Sequence, residues 1–156
     1  AVNVSVTMSK ETKSLFKTHI AMTVGKEIHV SATASEHDVH QSFDSAAEKI
    51  AKQLRRYKRK LRDHHEQMEQ AELMRVPEYT LVLNLKDDPV IIAEMTTNIQ
   101  TMSVSDAVMR LNLSGNNAMM FRNSKNGELN MVYLRQDGNI GWVDPKEARS
   151  VHSDAA

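Results

Sequence analysis

Residues 49–62 read KIAKQLRRYKRKLR, eight Lys or Arg side chains with no acidic one among them. On a helix turning about 100° per residue, Lys52, Arg55, Arg56, Arg59 and Arg62 share one side, and Lys49, Lys58 and Lys60 flank it. Fixed cations on one face repel one another unless an anion is held there. Phosphates are the natural anion, since each one neutralised releases counterions and adds a salt-dependent increment of affinity. A nucleic acid is therefore the favoured partner. Two other readings stand beside it. One is a solvated helix face, although such faces usually interleave Glu at i, i+4. The other is an anionic membrane surface, which would compete for an apolar face that the fold itself needs. Aromatic residues make up only 4% of the chain, and Tyr57, the one aromatic in the run, lies on the apolar side. Base stacking is thus poorly supplied. Recognition by phosphate and shape, as for structured RNA, fits better.

Other chemistry is scarce. Cysteine is absent, which removes disulfides, thiolate nucleophiles and sulfur-based zinc sites. Seven histidines include the pairs His37/His40 and His64/His65, but no third ligand stands at a telling spacing, and surface histidines are the better account. No carboxylate pair suggests general acid–base work, and no phosphate-cradling or nucleophile-elbow motif occurs. The expectation is a binding protein, not an enzyme, with no metal and no cofactor.

Those cations need a scaffold. The charges balance at 20 basic and 20 acidic residues. Residues 1–75 nevertheless carry 13 basic against 10 acidic side chains, and residues 76–156 carry 7 against 10. The asymmetry assigns the anionic partner to the front half. Val2, Val4, Val6 and Met8 alternate with polar residues, the period of a strand with one buried face. Phe16, Thr18, Ile20 and Met22 repeat it, Gly25-Lys26 reads as a hairpin turn, and residues 27–34 make a third strand. Ser35-x-x-Asp38 resembles a capping box. Phe43, Ala47, Ile50, Leu54, Tyr57 and Leu61 then recur at helical spacing, a stripe expected to lie across the strands. The helical pattern runs on past His64-His65 towards Met74. Pro77 and Asp87-Asp88-Pro89 punctuate the middle, and residues 79–85 have strand character without an evident mate.

From Val90 a second pattern begins: a strand to residue 101, a short helix capped by Ser103-x-x-Asp106 and ended by Gly115, then strands 118–122, 129–135 and 140–143 joined at Asn126-Gly127 and Asp137-Gly138. The expected class is α+β. A β-β-β-α unit occupies residues 1–65, a linker 66–89, a β-α-β-β-β unit 90–146 and a disordered tail 147–156. Domains of about 60 residues bury only roughly 60% of their unfolded surface, and sheet edges need cover. A homodimer through the second unit would supply both. Ten methionines, Met119, Met120 and Met131 among them, suit either a core or an adaptable interface. No apolar run is long enough to span a bilayer, and residues 1–10 lack the pattern of a signal peptide.

Two segments carry a family resemblance. Residues 35–64, SEHDVHQSFDSAAEKIAKQLRRYKRKLRDH, resemble the last helix of the ribosome hibernation-promoting factor family, also called light-repressed protein and sigma-factor modulation protein. Its Q-L-R-[KR]-Y-K-x-K-L-R run is matched from Gln53 to Arg62. TMSVSDAV (101–108) and FRNSKNGELNMVYLRQDGNIGWVDP (121–145) resemble the additional domain of the long form. The resemblance implies a β-α-β-β-β-α first domain, which this sequence enters at the second strand, so the first strand and helix are expected to be missing. It implies binding to the small ribosomal subunit and its rRNA near the decoding region, blocking translation without chemistry. Lys49, Lys52, Arg55, Arg56, Lys58, Arg59, Lys60 and Arg62 would face rRNA. It also implies pairing of two ribosomes through a homodimer of the second unit, with Phe121, Met131, Tyr133 and Trp142 as candidate contacts. The implied location is the cytoplasm, on ribosomes, with a plastid stroma as the alternative. Alternative readings are a transcription-linked sigma-factor regulator and a general structured-RNA binder.

Overall fold

The structure is a computed structural model that describes residues 2–25, 28–68, 73–84 and 86–145. Three strands, β1 (Asn3–Lys10), β2 (Phe16–Val24) and β3 (Ile28–Glu36), form an antiparallel meander in that order. Val4, Val6 and Met8 pair with Met22, Ile20 and Thr18, which in turn pair with Val30, Ala32 and Ala34. All nine therefore share one face. Helix α1 (Val39–Arg56) lies over β2 and β3 on that face.

The contact line keeps Ala47, Ile50, Leu54, Tyr57 and Leu61 of the expected stripe and departs from it at Phe43. Ser42, Ala46 and Ile50 are buried, whereas Phe43 is 37% exposed. Small side chains set the approach: Ser42 Oγ lies 2.7 Å from Thr18 Oγ1, both groups fully buried, and Ala46 is wholly enclosed. A phenyl ring at that line would hold the helix off the sheet. Replacing Ala46 by Leu is expected to destabilise the fold by about 1–3 kcal/mol through overpacking, read as a lowered urea midpoint. The cap is also displaced. Asp38, not Ser35, closes the helix start, its carboxylate accepting from the backbone N–H of His40 at 2.8 Å and Gln41 at 3.1 Å. Ser35 instead lies in β3. The expected buried face of β1 is overturned as well: Val2, Val4, Val6 and Met8 are 44–62% exposed, because α1 reaches only β2 and β3. Lys26 of the expected Gly25-Lys26 turn lies outside the described residues.

Tyr57 breaks the long helix. Its φ of −104° and ψ of 10° end α1, and α2 (Lys58–Met68) follows at once. Leu61 N–H still donates to Tyr57 O at 2.8 Å, so the chain bends rather than departs.

The second unit is a five-stranded sheet in the order β4 (Leu73–Val82), β5 (Val90–Met102), β6 (Ala118–Asn123), β7 (Leu129–Leu134), β8 (Ile140–Val143). Residues expected as linker thus include a ten-residue strand, paired antiparallel with β5 in a long ribbon. Pro77 is tolerated there because β4 is an edge strand. Helix α3 (Val104–Ser114) opens on Ser103, whose Oγ accepts from Asp106 N–H at 3.1 Å, and ends at Gly115 with φ +72°. It covers a core of Met102, Ala107, Leu111, Phe121 and Val132. Gly127 (φ +72°) and Gly138 (φ +84°) take left-handed turn conformations that an L side chain would strain. Arg135 and the backbone N–H of Asn139 both hold Asp137 in the second turn. They keep its carboxyl below the usual carboxylate range, the Asn139 bond contributing most. Residues 147–156 lie outside the described residues.

Candidate RNA interface and pairing surface

Helix α1 must turn its small residues to the sheet, so its long cations face outward. Lys49, Lys52, Arg55, Arg56, Lys58, Arg59 and Arg62 are exposed, and Lys60 is half-buried. They are not equivalent. Lys49 Nζ donates to Thr33 O at 2.8 Å and ties α1 to β3. Lys60 donates to Ser105 Oγ on α3. Arg56 lies over the Tyr57 ring, 5.4 Å from its centre. Arg55 pairs with Glu48 at 2.9 Å, both side chains largely exposed, and Arg62 stands 3.8 Å from the exposed Asp63. Exposed pairs of this kind contribute about 0–1 kcal/mol, so a phosphate can displace either acid. Among the described residues, Lys52, Lys58 and Arg59 make no ion pair. The face open to an anion is therefore Lys52, Arg55, Arg56, Lys58, Arg59 and Arg62, with Lys49 and Lys60 turned to the protein. No group of three or more His, Asp or Glu that could hold a metal occurs among the described residues, and no described helix is long and apolar enough to cross a membrane.

The four residues expected at a pairing surface separate. Phe121 is fully buried in the core of the second unit, where it packs with Leu111 and Val132, so it is not a surface anchor in this arrangement. β6 must turn its largest apolar residue inward to close the sheet under α3. Met131 and Tyr133 are half-buried on the opposite face. Met131 sits between Met120 and Val143 in register, which are 51% and 43% exposed. Tyr133 lies over Gly141, where any Cβ would collide with its ring. Trp142 is 52% exposed on the edge strand, its indole N–H donating to Asn130 Oδ1 at 2.8 Å.

The far end of the β4–β5 ribbon exposes further apolar side chains. Leu81, Val82, Leu83, Val90, Ile91 and Ile92 are between 45% and 79% exposed, with Leu81 opposite Ile91 and Val82 opposite Val90. Exposed apolar side chains on both faces of a ribbon make it a candidate interaction surface. The signal was present in the sequence. TLVL and VIIA do not alternate with polar residues, so both faces of a strand built from them require cover.

A profile described as Sigma 54 modulation protein / S30EA ribosomal protein matches residues 1–62, and one described as Sigma 54 modulation/S30EA ribosomal protein C terminus matches residues 86–141. Three proteins named Ribosome hibernation promotion factor are similar. That of Rhizobium meliloti (strain 1021) is 42% identical over 120 residues, covering 72% of this chain and 63% of that protein. The Bradyrhizobium diazoefficiens protein is 36% identical over 154 residues, 90% of this chain and 75% of that protein. The Bacillus subtilis (strain 168) protein is 26% identical over 161 residues, 94% and 80%. The match to the first of these spans less than two thirds of its length.

Proposed function

Since this chain belongs to the Sigma 54 modulation/S30EA ribosomal protein family, we propose that it is a ribosome hibernation factor that acts by occupancy, without catalysis or cofactor. It lays the basic face of α1 and α2 on rRNA of the small ribosomal subunit near the decoding region. Translation stops because the site is filled. The second unit pairs with its copy on another ribosome and joins the two as an inactive dimer. The protein works in the compartment that holds those ribosomes, the bacterial cytoplasm by the sources of its relatives.

One observation carries the rRNA reading: six exposed cations along the consecutive helices α1 and α2, of which Lys52, Lys58 and Arg59 have no ion partner among the described residues. The names of the relatives supply the ribosome. The ribbon end offers apolar surface of the kind a homodimer needs, as do Met120, Met131 and Tyr133 on one face of the sheet and Trp142 on the other. The family description also includes sigma 54 modulation, which supports a second reading, a regulator that engages the transcription machinery.

Co-sedimentation separates the two. The protein should pellet with small subunits at low salt, be released as salt rises, and pellet less with large subunits. Binding to a sigma factor or to RNA polymerase, with no binding to either subunit, would favour the second reading. For the pairing surface, Leu81→Lys with Ile91→Lys is expected to leave the free chain monomeric in sedimentation velocity at concentrations where the parent protein self-associates. Both side chains are exposed, so the cost to the fold is confined to the lost cross-strand pair and the repulsion of two opposed ammonium groups, about 1 kcal/mol.

A further inference from the structure

Asn126-Gly127, in the turn between β6 and β7, is the sole Asn-Gly step of the chain. An asparagine before glycine is open to attack from within: the next backbone nitrogen, unshielded by a side chain, can reach the amide carbon Cγ. A Cβ built on Gly127 would meet nothing within 4 Å, so bulk does not guard that nitrogen. Hydrogen bonds do. Gly127 N–H donates to Asn123 O at 2.7 Å, which holds the proton that must leave before the nitrogen can attack. Asn126 Oδ1 accepts from Glu128 N–H at 2.9 Å and fixes the side-chain amide. Asn123 N–H donates to Glu128 O at 2.8 Å and closes the turn. The next turn offers the same ring closure at Asp137-Gly138. There the electrophile is a carboxylate, which resists attack while ionised, and Asn139 and Arg135 keep it so.

We propose that Asn126 is a modification site gated by folding: the closed β6–β7 turn protects it, opening of the turn commits it to deamidation, and the isoaspartyl product bars the turn from re-forming. In the open chain the deprotonated Gly127 nitrogen attacks Asn126 Cγ. A C–N bond forms, the bond from Cγ to Nδ2 breaks, and ammonia leaves with a proton from water, which restores the hydroxide used in the first step. Water then opens the cyclic imide. Opening at Cγ leaves aspartate. Opening at the backbone carbonyl leaves isoaspartate, whose main chain runs through Cβ and Cγ and is longer by a carbon. Aspartate keeps the backbone path and an acceptor for Glu128 N–H. Isoaspartate keeps neither, and it moves Gly127 N–H off Asn123 O. That turn sets the register of β6 on β7, where Phe121 stands opposite Asn130 and Met119 opposite Val132. The damage also reaches Trp142, because Asn130 Oδ1 accepts from both Asn123 Nδ2 at 3.1 Å and Trp142 Nε1 at 2.8 Å. A second unit that opens for long is thereby retired by its own chemistry.

The full-length chain is held at mildly alkaline pH in native buffer and in guanidinium chloride above its unfolding midpoint, and the Phe121→Ala chain is held in native buffer. Peptide mapping by mass spectrometry follows residues 126 and 137, and an isoaspartyl methyltransferase scores the isoaspartate. Conversion of Asn126 is expected to be on the order of tenfold or more faster in denaturant, since a site that reacts only when open reacts in proportion to its open fraction. It should also be faster in Phe121→Ala than in the parent, with Asp137 unchanged throughout. Once denaturant is removed, the isoaspartyl chain should show a lower urea midpoint by Trp142 fluorescence than a chain passed briefly through denaturant. Asn126→Asp should keep the parent's midpoint. Equal rates in the folded and unfolded chain overturn the proposal. So does a parent-like midpoint for the isoaspartyl chain, or an Asn126→Asp chain as unstable as the isoaspartyl one, which would assign the effect to charge. None of these readouts needs ribosomes or self-association, so they stand apart from the function proposed above.

Discussion

Phe121→Ala is expected to unfold the second unit under conditions where the parent protein is folded. Phe121 is the largest of the fully buried side chains and is 0% exposed. Truncating a buried Phe to Ala costs about 3–5 kcal/mol, the removed apolar area plus the cavity left behind. A unit of this size has a total stability of only about 3–9 kcal/mol at the usual per-residue value. Most of its margin is therefore lost. Trp142 is the sole tryptophan of the chain and stands on β8 of the same sheet, so its fluorescence reports this unit alone. The urea midpoint should fall sharply. Self-association should be lost with it, since the Met131 and Tyr133 face and the ribbon hang on the same sheet. An unchanged midpoint would mean that Phe121 does not hold the core.

The second large effect concerns charge. Lys52→Glu, Arg55→Glu and Arg59→Glu together are expected to weaken binding to small subunits by on the order of a hundredfold or more at moderate salt, and to flatten its salt dependence. Each lost phosphate contact removes about 0.7–0.9 from the slope of log affinity against log salt. Three contacts should remove about 2–3. Fold stability should change little, because all three side chains are exposed and the single ion pair lost, Arg55 with Glu48, is a surface one. Lys49→Ala is the informative contrast. Its ammonium holds Thr33 O, so this change should lower stability more than it lowers binding. Isothermal titration at several salt concentrations separates the two behaviours.

Much of this arrangement is legible in the residues. Period-two alternation places β2 and β3, helical spacing places α1, and Ser103 with Gly115 frames α3. Asn126-Gly127 and Asp137-Gly138 turn where expected. What escapes sequence reading is reach. Alternation shows that Val4, Val6 and Met8 share a side with Ile20, but not that α1 stops short of β1. Helical spacing finds an apolar stripe, yet bulk decides which edge of the stripe touches the sheet, and Ser42 and Ala46 win over Phe43 because they allow closer approach. Pro77 reads as punctuation until β4 is known to be an edge strand. Of the candidate site, all eight cations could be named in advance. Their division could not, because it depends on contacts distant in sequence: Lys49 with Thr33 and Lys60 with Ser105. The burial of Phe121 is likewise a matter of which side of β6 faces α3. The ribbon end was recoverable from its two uninterrupted apolar stretches, which no single strand can bury by itself.

The most direct measurement is a sucrose-gradient profile of ribosomes incubated with the protein, with the factor itself followed across the fractions. The proposed function predicts that the factor travels with the small subunit and that a faster-sedimenting peak of paired ribosomes appears, both reversed by high salt. Ribosomes that stay single, with the factor left at the top of the gradient at low salt, would contradict it.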